Sequence, residues 1–446
     1  MSKESSKESN ESSVPAGRLS RLARMTRIAA GVAGGMMAEG ARQLRDGKRP
    51  RLQDMLLTPQ NAHRITGELA KLRGAAMKLG QMLSMDAGDI IPKELAEILA
   101  RLRSDARTMP RAQINRALVK AYGKTWREKF VTFDYEPLAA ASIGQVHRAE
   151  RPNGDQIVLK IQYPGVRRSI GSDIDNVAVL LRMSGLIPKN IDLAPLLVEA
   201  KAQLHDEANY LTEAEYLRDF GVALAKDKRF IVPRLYKELT TDSILAMGFA
   251  DGAPIESIAE LEQSARDRVV SNIIELMLHE LFTLNMVQTD ANFANYRYQH
   301  DTGRVVLLDF GATRRSAPEF AEAYRGLLRA MLTDNDEVIV QAAERVGYVV
   351  NDVHPTYRQL LLDVFRLIGE VFRSETPYTI KGARLSARMA EKTLAMKDYR
   401  DDWRAPPIDA IFFHRKLAGV FLLASRVDAH VFMRPLLKSV LHSRGI

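Results

Sequence analysis

Cysteine is absent from the 446 residues, which excludes disulfide staples and thiolate metal centres and fits a reducing compartment. Also missing is any run able to cross a bilayer. The segment 28–38 is far short of the roughly 20 apolar residues that a spanning helix needs, and it is rich in glycine. The longer stretch 269–287 is interrupted by Asn272, Glu275, His279, Glu280 and Asn285, so it reads as a buried core helix. The N-terminus, Met-Ser-Lys-Glu-Ser-Ser-Lys-Glu, is polar with acidic residues, unlike a secretory signal or an acid-poor transit peptide. Acidic residues are nearly missing between Arg18 and Arg51, where Arg18, Arg21, Arg24, Arg27, Arg42, Arg45, Lys48, Arg49 and Arg51 face only Glu39 and Asp46. Such a cluster suits an anionic partner or a solvated flexible arm. No aromatic or helix-turn-helix pattern accompanies the charge, which argues against nucleic acid. The expectation is a cytoplasmic protein, peripheral at a membrane surface, with no transmembrane helix.

What is present is an ordinary globular composition, 46% hydrophobic, with length for two or three domains. Residues 1–15 are Ser/Glu/Lys-rich and read as disordered, and 19–45 as a basic helix weakened by Gly31, Gly34 and Gly35. Helices are expected through 58–120, with Ile65, Leu69, Leu72, Ala76, Leu79 and Leu83 at helical intervals. Strands follow at 133–149 and 156–162, joined by a turn with Asn153-Gly154 at its tip. Helical patterns at 174–186 and 196–220, strands at 231–238 and 243–249, and a mostly helical remainder complete the order. The pattern divides the chain into a tail and basic arm (1–50), a helical extension (51–128), a small sheet-bearing lobe (129–250) and a helical lobe (251–446).

The chemistry concentrates in two short segments. Leu308-Asp309-Phe310-Gly311 ends an apolar run, and Asp290-Ala291-Asn292-Phe293-Ala294-Asn295 precedes it as Asp-x₄-Asn. In kinase-type phosphoryl transfer these are the metal-binding Asp, the Asn that takes a second metal, and the Asp that orients the attacking group. A Mg-ATP site follows, with Asp309 and Asn295 on the metal and Asp290 catalytic. Upstream, Lys160 in Ile157-Val158-Leu159-Lys160 matches the lysine strand in residue type. Before it, Ala139, Ala141, Gly144 and Val146 stand where a phosphate-covering loop has three glycines and a valine. The two alanines restrict backbone freedom, so phosphates are expected to sit differently than under a glycine-rich loop. Ala139, Ala140, Ala141, Ser142, Gly144, Val146, Lys160 and Met247 are the candidate nucleotide contacts. A carboxylate on the next helix should hold Lys160. Glu207 and Glu213 are the candidates beside Glu199, Asp206 and Glu215, and side-chain chemistry alone leaves the choice open.

Met77-Lys78-Leu79-Gly80-Gln81 resembles the KxGQ motif of the UbiB family of atypical kinases, also called aarF-domain kinases. The Ala-rich loop, Gln288-Thr289-Asp290 with its Asn295, and Asp309-Phe310-Gly311-Ala312-Thr313-Arg314 resemble the same family in the same order, across about 60–430. The likeness is greatest to its ubiquinone-biosynthesis branch. This resemblance implies an α+β, bilobal protein-kinase-like fold with an N-terminal helical extension covering the active site. On it, Lys78 and Gln81 share one helical face and gate the site, Glu213 pairs with Lys160, and Glu207 with position 209 forms the Glu-x-Asp motif that contacts the KxGQ helix. Position 209 is Asn209 here, which removes a charge. An activation segment is missing: Ser316-Ala317-Pro318-Glu319 follows Asp309 too closely and reads as a capping box with Ser316 at the N-cap. The implied activity is a Mg²⁺-dependent ATPase supporting ubiquinone biosynthesis, with ATP and Mg²⁺ as cofactors. The implied partners are anionic lipid or prenylated quinone intermediates and ubiquinone-biosynthesis enzymes. A phosphotransferase on a small-molecule or lipid acceptor, and a nucleotide-sensing scaffold, are the alternatives.

Overall fold

A computed structural model describes residues 108–183, 194–290, 292–333, 335–382, 384–399 and 406–442, with Arg42, Gln43, Arg45, Ala75 and Asp402. The expected KxGQ helix with Lys78 and Gln81 lies outside the described residues, as do nearly all of the helical pattern expected between 58 and 107 and nearly all of the basic arm.

In chain order the elements are α1 (Arg111–Tyr122), β1 (Thr132–Phe133), β2 (Ala139–Ala140), β3 (Gly144–Glu150), β4 (Gln156–Gln162), α2 (Val166–Met183), α3 (Ala194–Glu207) and α4 (Tyr210–Ala223). Then come β5 (Phe230–Ile231), β6 (Ile244–Gly248), β7 (Ala253–Pro254), α5 (Gln263–Phe282), β8 (Met286–Gln288), β9 (Tyr296–Gln299), β10 (Arg304–Leu307) and β11 (Thr313–Arg315). The chain ends with α6 (Pro318–Thr333), α7 (Asp336–Val346), α8 (Pro355–Arg373), β12 (Tyr378–Thr379), α9 (Leu385–Ala395), α10 (Ile408–Arg426), β13 (His430–Val431) and α11 (Met433–His442). Two compact units result, Met1–Glu215 with Arg234–Phe249, and Tyr216–Pro233 with Ala250–Ile446.

In the first unit, strand alternation decides what is buried where. The sheet runs β1-β3-β4-β6 with β2 on β3, and every pairing is antiparallel. Ile157, Leu159 and Ile161 point one way, into a core with Ile114 and Leu118 of α1, Trp126 and Phe130. Because side chains alternate across a strand, Val158, Lys160 and Gln162 take the other face. Register then lines Ala139, Val146, Lys160 and Leu245 across that face, with Met247 opposite Val158. The hairpin between β3 and β4 closes as its Asn-Gly pair indicated. Arg151 N donates to Asp155 O (3.0 Å), and Gly154 holds φ +84°.

Three expected elements come out differently, each for a local reason. The strand expected over 133–149 is three pieces, because Pro137 has no N–H for a ladder and the chain reverses where Ala141 N donates to Gly144 O (2.9 Å). The helix expected over 196–220 is two, α3 and α4, because Asn209 caps the second: its side chain accepts from Thr212 N (3.4 Å). The strand expected over 231–238 shrinks to β5 in the second unit, followed by Pro233.

In the second unit β5 lies parallel to β10, which pairs antiparallel with β9, and β9 with β7. A separate ribbon joins β8 to β11. The core helix expected over 269–287 is α5, burying Val270, Ile274, Met277 and Leu281. It stops at Phe282, and the chain turns through Asn285 (φ 47°), a residue type that tolerates the left-handed region. The expected capping box does not form. Helix α6 starts with Pro318 in its first position, which suits a residue lacking an N–H, and Ser316 N instead donates to Asn285 O (3.0 Å). On α10, His414 Nε2 sits 2.9 Å from the Tyr348 hydroxyl and 3.0 Å from that of Tyr324.

Two predictions follow from this packing. A Cβ at Gly144 would lie 2.3 Å from the Ile161 carbonyl oxygen, and a backbone atom has little room to yield. Gly144→Ala is expected to cost about 1–3 kcal/mol in urea unfolding. Burial lowers the His414 pKa from 6.5 to about 4, so the unfolded chain takes up a proton that the fold refuses. Stability should therefore fall as pH drops from 6.5 toward 4, by up to about 3 kcal/mol from this residue. Burial lowers His147 and His279 as well. The pH dependence of the urea midpoint is thus compared between wild type and His414→Gln, which should be the flatter.

Candidate active site

In the first unit the site is built on β4. Lys160 Nζ donates to Glu213 Oε1 at 2.7 Å and Oε2 at 3.0 Å, with side chains 10% and 1% exposed. Of the carboxylates left open by the sequence, this fixes Glu213 as the one on the lysine. The junction of α3 and α4 is what puts it there. Gln162 Nε2, two residues along β4 from Lys160, donates to Ala208 O (2.8 Å). Asn209 then starts α4, and its carbonyl accepts from Glu213 N (3.0 Å), so Glu213 sits one turn into the helix. Asn and Asp cap helices about equally well, so the missing charge at 209 costs the helix start nothing. Glu207 ends α3 and accepts from Ser142 Oγ, at the tip of the Ala-rich hairpin.

Ala139 and Ala140 sit exposed in β2, Ala141 and Ser142 form the turn, and Gly144 and Val146 open β3. None of the alanines takes a positive φ. The demand for glycine falls at Gly144 alone, where Ile161 passes too close for a side chain. Met247 is buried in β6 on the Lys160 face. Tyr210 was not expected from the sequence: its buried ring lies 5.3 Å from Lys160 Nζ, and its hydroxyl crowds Gly144. A lone Tyr after Asn209 carried no signal of that.

In the second unit the loop between β8 and β9 carries Asp290 and Asn295. Asn292 N donates to Asp290 Oδ1 (3.3 Å), Asn295 Nδ2 to Asp290 O (3.3 Å), and the Asn292 side chain accepts from Ala294 N (3.1 Å). The loop is tied to the Asp-Phe-Gly segment. Leu308 N donates to Asn295 O (3.0 Å), and both Thr289 N (3.1 Å) and Thr289 Oγ1 (2.7 Å) donate to Ala312 O. Asp309 Oδ1 accepts from Gly311 N (2.9 Å), while buried Phe310 packs on Phe220 at 5.0 Å between ring centroids. Asp309 and Asn295 thus stand on neighbouring backbone with oxygen donors. Among the described residues no three His, Cys, Asp or Glu side chains gather to hold a metal by themselves. Two oxygen donors suit Mg²⁺, which completes its shell with nucleotide phosphates and water.

A lysine–glutamate pair beside an Ala-rich hairpin, and an Asp-x₄-Asn loop tied to Asp-Phe-Gly, define a kinase-like protein of the phosphoryl-transfer class on an α+β fold. The chain belongs to the ABC1 atypical kinase-like family, whose domain matches residues 101–343. It is 36% identical over 431 residues to the mitochondrial atypical kinase COQ8 of Saccharomyces cerevisiae, covering 96% of this chain and 86% of that protein. It is 34% identical over 441 residues to the mitochondrial atypical kinase COQ8B of Rattus norvegicus, covering 97% and 82%. Among solved structures, Rv3197 of Mycobacterium tuberculosis, determined with erythromycin, shares the fold. The TM-score is 0.58 at 24% identity, over 92% of this chain and 98% of that one.

Replacing one partner of a buried ion pair is costly, whereas replacing both by apolar residues is often neutral for the fold. Lys160→Met is therefore expected to lose about 3–5 kcal/mol in denaturant melts. Lys160→Met with Glu213→Leu should recover most of that and still fail to bind a fluorescent ATP analogue.

Proposed function

We propose that this protein is a Mg²⁺-dependent ATPase of the atypical-kinase class that supports ubiquinone biosynthesis at a membrane surface. The observation that carries the reading is the buried Lys160–Glu213 pair, in the arrangement that kinase chemistry uses to hold a lysine for nucleotide phosphates. In this reading Lys160 meets the phosphates, Glu213 fixes its direction, and the Ala-rich hairpin 139–146 covers them, with Met247 against the base. Asp309 and Asn295 would hold Mg²⁺, whose charge would offset that of the phosphates, and Asp290 orients the attacking oxygen. Glu207 and Asn209 contact the KxGQ helix, and Lys78 and Gln81 gate access. Similarity to the COQ8 kinases supports the atypical-kinase class, and the motif resemblance to the ubiquinone-biosynthesis branch is what suggests the biosynthetic role, with ubiquinone enzymes and prenylated intermediates as partners.

A membrane surface rather than a span suits the described residues, where no helix is long and apolar enough to cross a bilayer. The basic cluster 18–51 is the anionic-lipid candidate. A peptide acceptor is disfavoured, because α6 begins at Pro318, only a short ribbon after Asp309. The second reading, transfer to a small-molecule or lipid acceptor, is favoured by the intact Asp290, which would serve an alcohol as well as water.

The test is Mg-ATP hydrolysis by purified protein with and without anionic liposomes, for wild type and Asp309→Asn. Turnover that rises with liposomes and falls at least 100-fold in the variant is the expected result. Phosphate appearing on a lipid would promote the second reading. Nucleotide binding with no turnover above the variant would leave a nucleotide-sensing scaffold.

A further inference from the structure

A second buried lysine lies in the second unit, and the chemistry above does not use it. Lys416, on α10, is 2% exposed. Its Nζ donates to Tyr296 Oη (2.8 Å) and Gln288 Oε1 (3.2 Å), and lies 3.4 Å from Glu280 Oε2. Glu280, on α5 and 1% exposed, accepts through that same Oε2 from the Gln288 backbone N–H (3.1 Å). Gln288 is the last residue of β8, two before Asp290, and Tyr296 is the first of β9, directly after Asn295. One ammonium therefore holds both ends of the Asp-x₄-Asn loop, and its carboxylate partner holds one end a second time. Asp290 is also close enough for its charge to act on the Tyr296 phenol.

Taking an ammonium and a carboxylate out of water costs several kcal/mol, and a core that needed only stability would do as well with apolar residues of the same volume. What an apolar filling lacks is directed bonds to two points of a loop. Errors of about 1 Å in the placement of reacting groups lower catalysis by about 100-fold. We infer that Lys416, with Glu280, is a positioning residue for phosphoryl transfer, holding Gln288 and Tyr296 so that Asp290 and Asn295 keep a fixed separation and direction. This rests on the reading of Asp290 as the residue that orients the nucleophile.

The test is Mg-ATP turnover by the full chain, normalised to the concentration of nucleotide-binding sites. Lys416→Met with Glu280→Gln removes both charges, keeps the volume and leaves an acceptor for Gln288 N. It is expected to unfold cooperatively, keep its KM for ATP within two-fold, and lose at least ten-fold in kcat. Tyr296→Phe deletes one hydroxyl and is expected to lose three- to ten-fold in kcat at unchanged KM. A merely structural role would reduce the number of binding sites and leave turnover per site alone. If Tyr296→Phe keeps wild-type kcat while Asp290→Asn is inactive, the inference is overturned and the reading of the site stands, whether or not the double variant folds. If Asp290→Asn itself turns over at the wild-type rate, the reading falls and the inference with it.

Discussion

A lysine ammonium shut away from water has to meet a carboxylate at hydrogen-bond distance, and the first unit is organised around one such meeting. Lys160 faces away from the apolar core only because β4 alternates, with Ile157, Leu159 and Ile161 packed on α1. Its carboxylate comes from another element, so α4 has to arrive at a set height and rotation. Gln162 fixes the height by its bond to Ala208 O, and Asn209 fixes the rotation by beginning the helix there. The Ala-rich hairpin is bound into the same assembly through Ser142 on Glu207 and through Gly144, pressed between Ile161 and Tyr210. Remove the requirement to neutralise one ammonium, and the break between α3 and α4 has no evident purpose.

The second unit solves a related problem in reverse. There, among the described residues, the buried ammonium touches no candidate ligand-binding group and instead bonds to the residues that flank the loop carrying them. Lys416 meets Glu280 at 3.4 Å, longer than the 2.7 Å of Lys160 to Glu213, and spends its short bond on Tyr296. The shared logic is that a point charge with several donors can fix several acceptors at once, which a methyl group does not. The difference lies in what is being fixed: the lysine's own side chain in one unit, and the residues flanking a loop, Gln288 and Tyr296, in the other.

This contrast explains what the sequence could reveal. Lys160, Asp290, Asn295 and Asp309 could be singled out as candidates because each belongs to a short motif whose spacing is set by local backbone geometry. The alternating strand 156–162 and its Asn-Gly turn were legible for the same reason. Glu213 was not separable from Glu207 by side-chain chemistry, because the choice depends on where α4 begins, and α4 begins where a long helical pattern would have continued. Ser316 failed as an N-cap because Pro318 is a better first residue and Asn285 claimed the Ser316 backbone. Lys416 had no local pattern at all, since its partners lie 120 to 136 residues away. The one available trace was Glu280 interrupting an apolar stretch, where a charge on a core helix asks for a distant partner.

The segment after Asp309 doubles back on the strand that leads into Asp290. Gly311 donates to Asp309, Thr313 donates to Phe310 O, residues 313–315 pair with β8, Ser316 is tied to Asn285, and α6 starts at Pro318. The Asp-Phe-Gly segment and the Asp-x₄-Asn loop are therefore held to each other on two sides, by Leu308 N on Asn295 O after the loop and by Thr289 on Ala312 O before it. A shift of Asp309 along the chain would have to break the ribbon that sets the position of Asp290, so the two carboxylates share one set of backbone bonds.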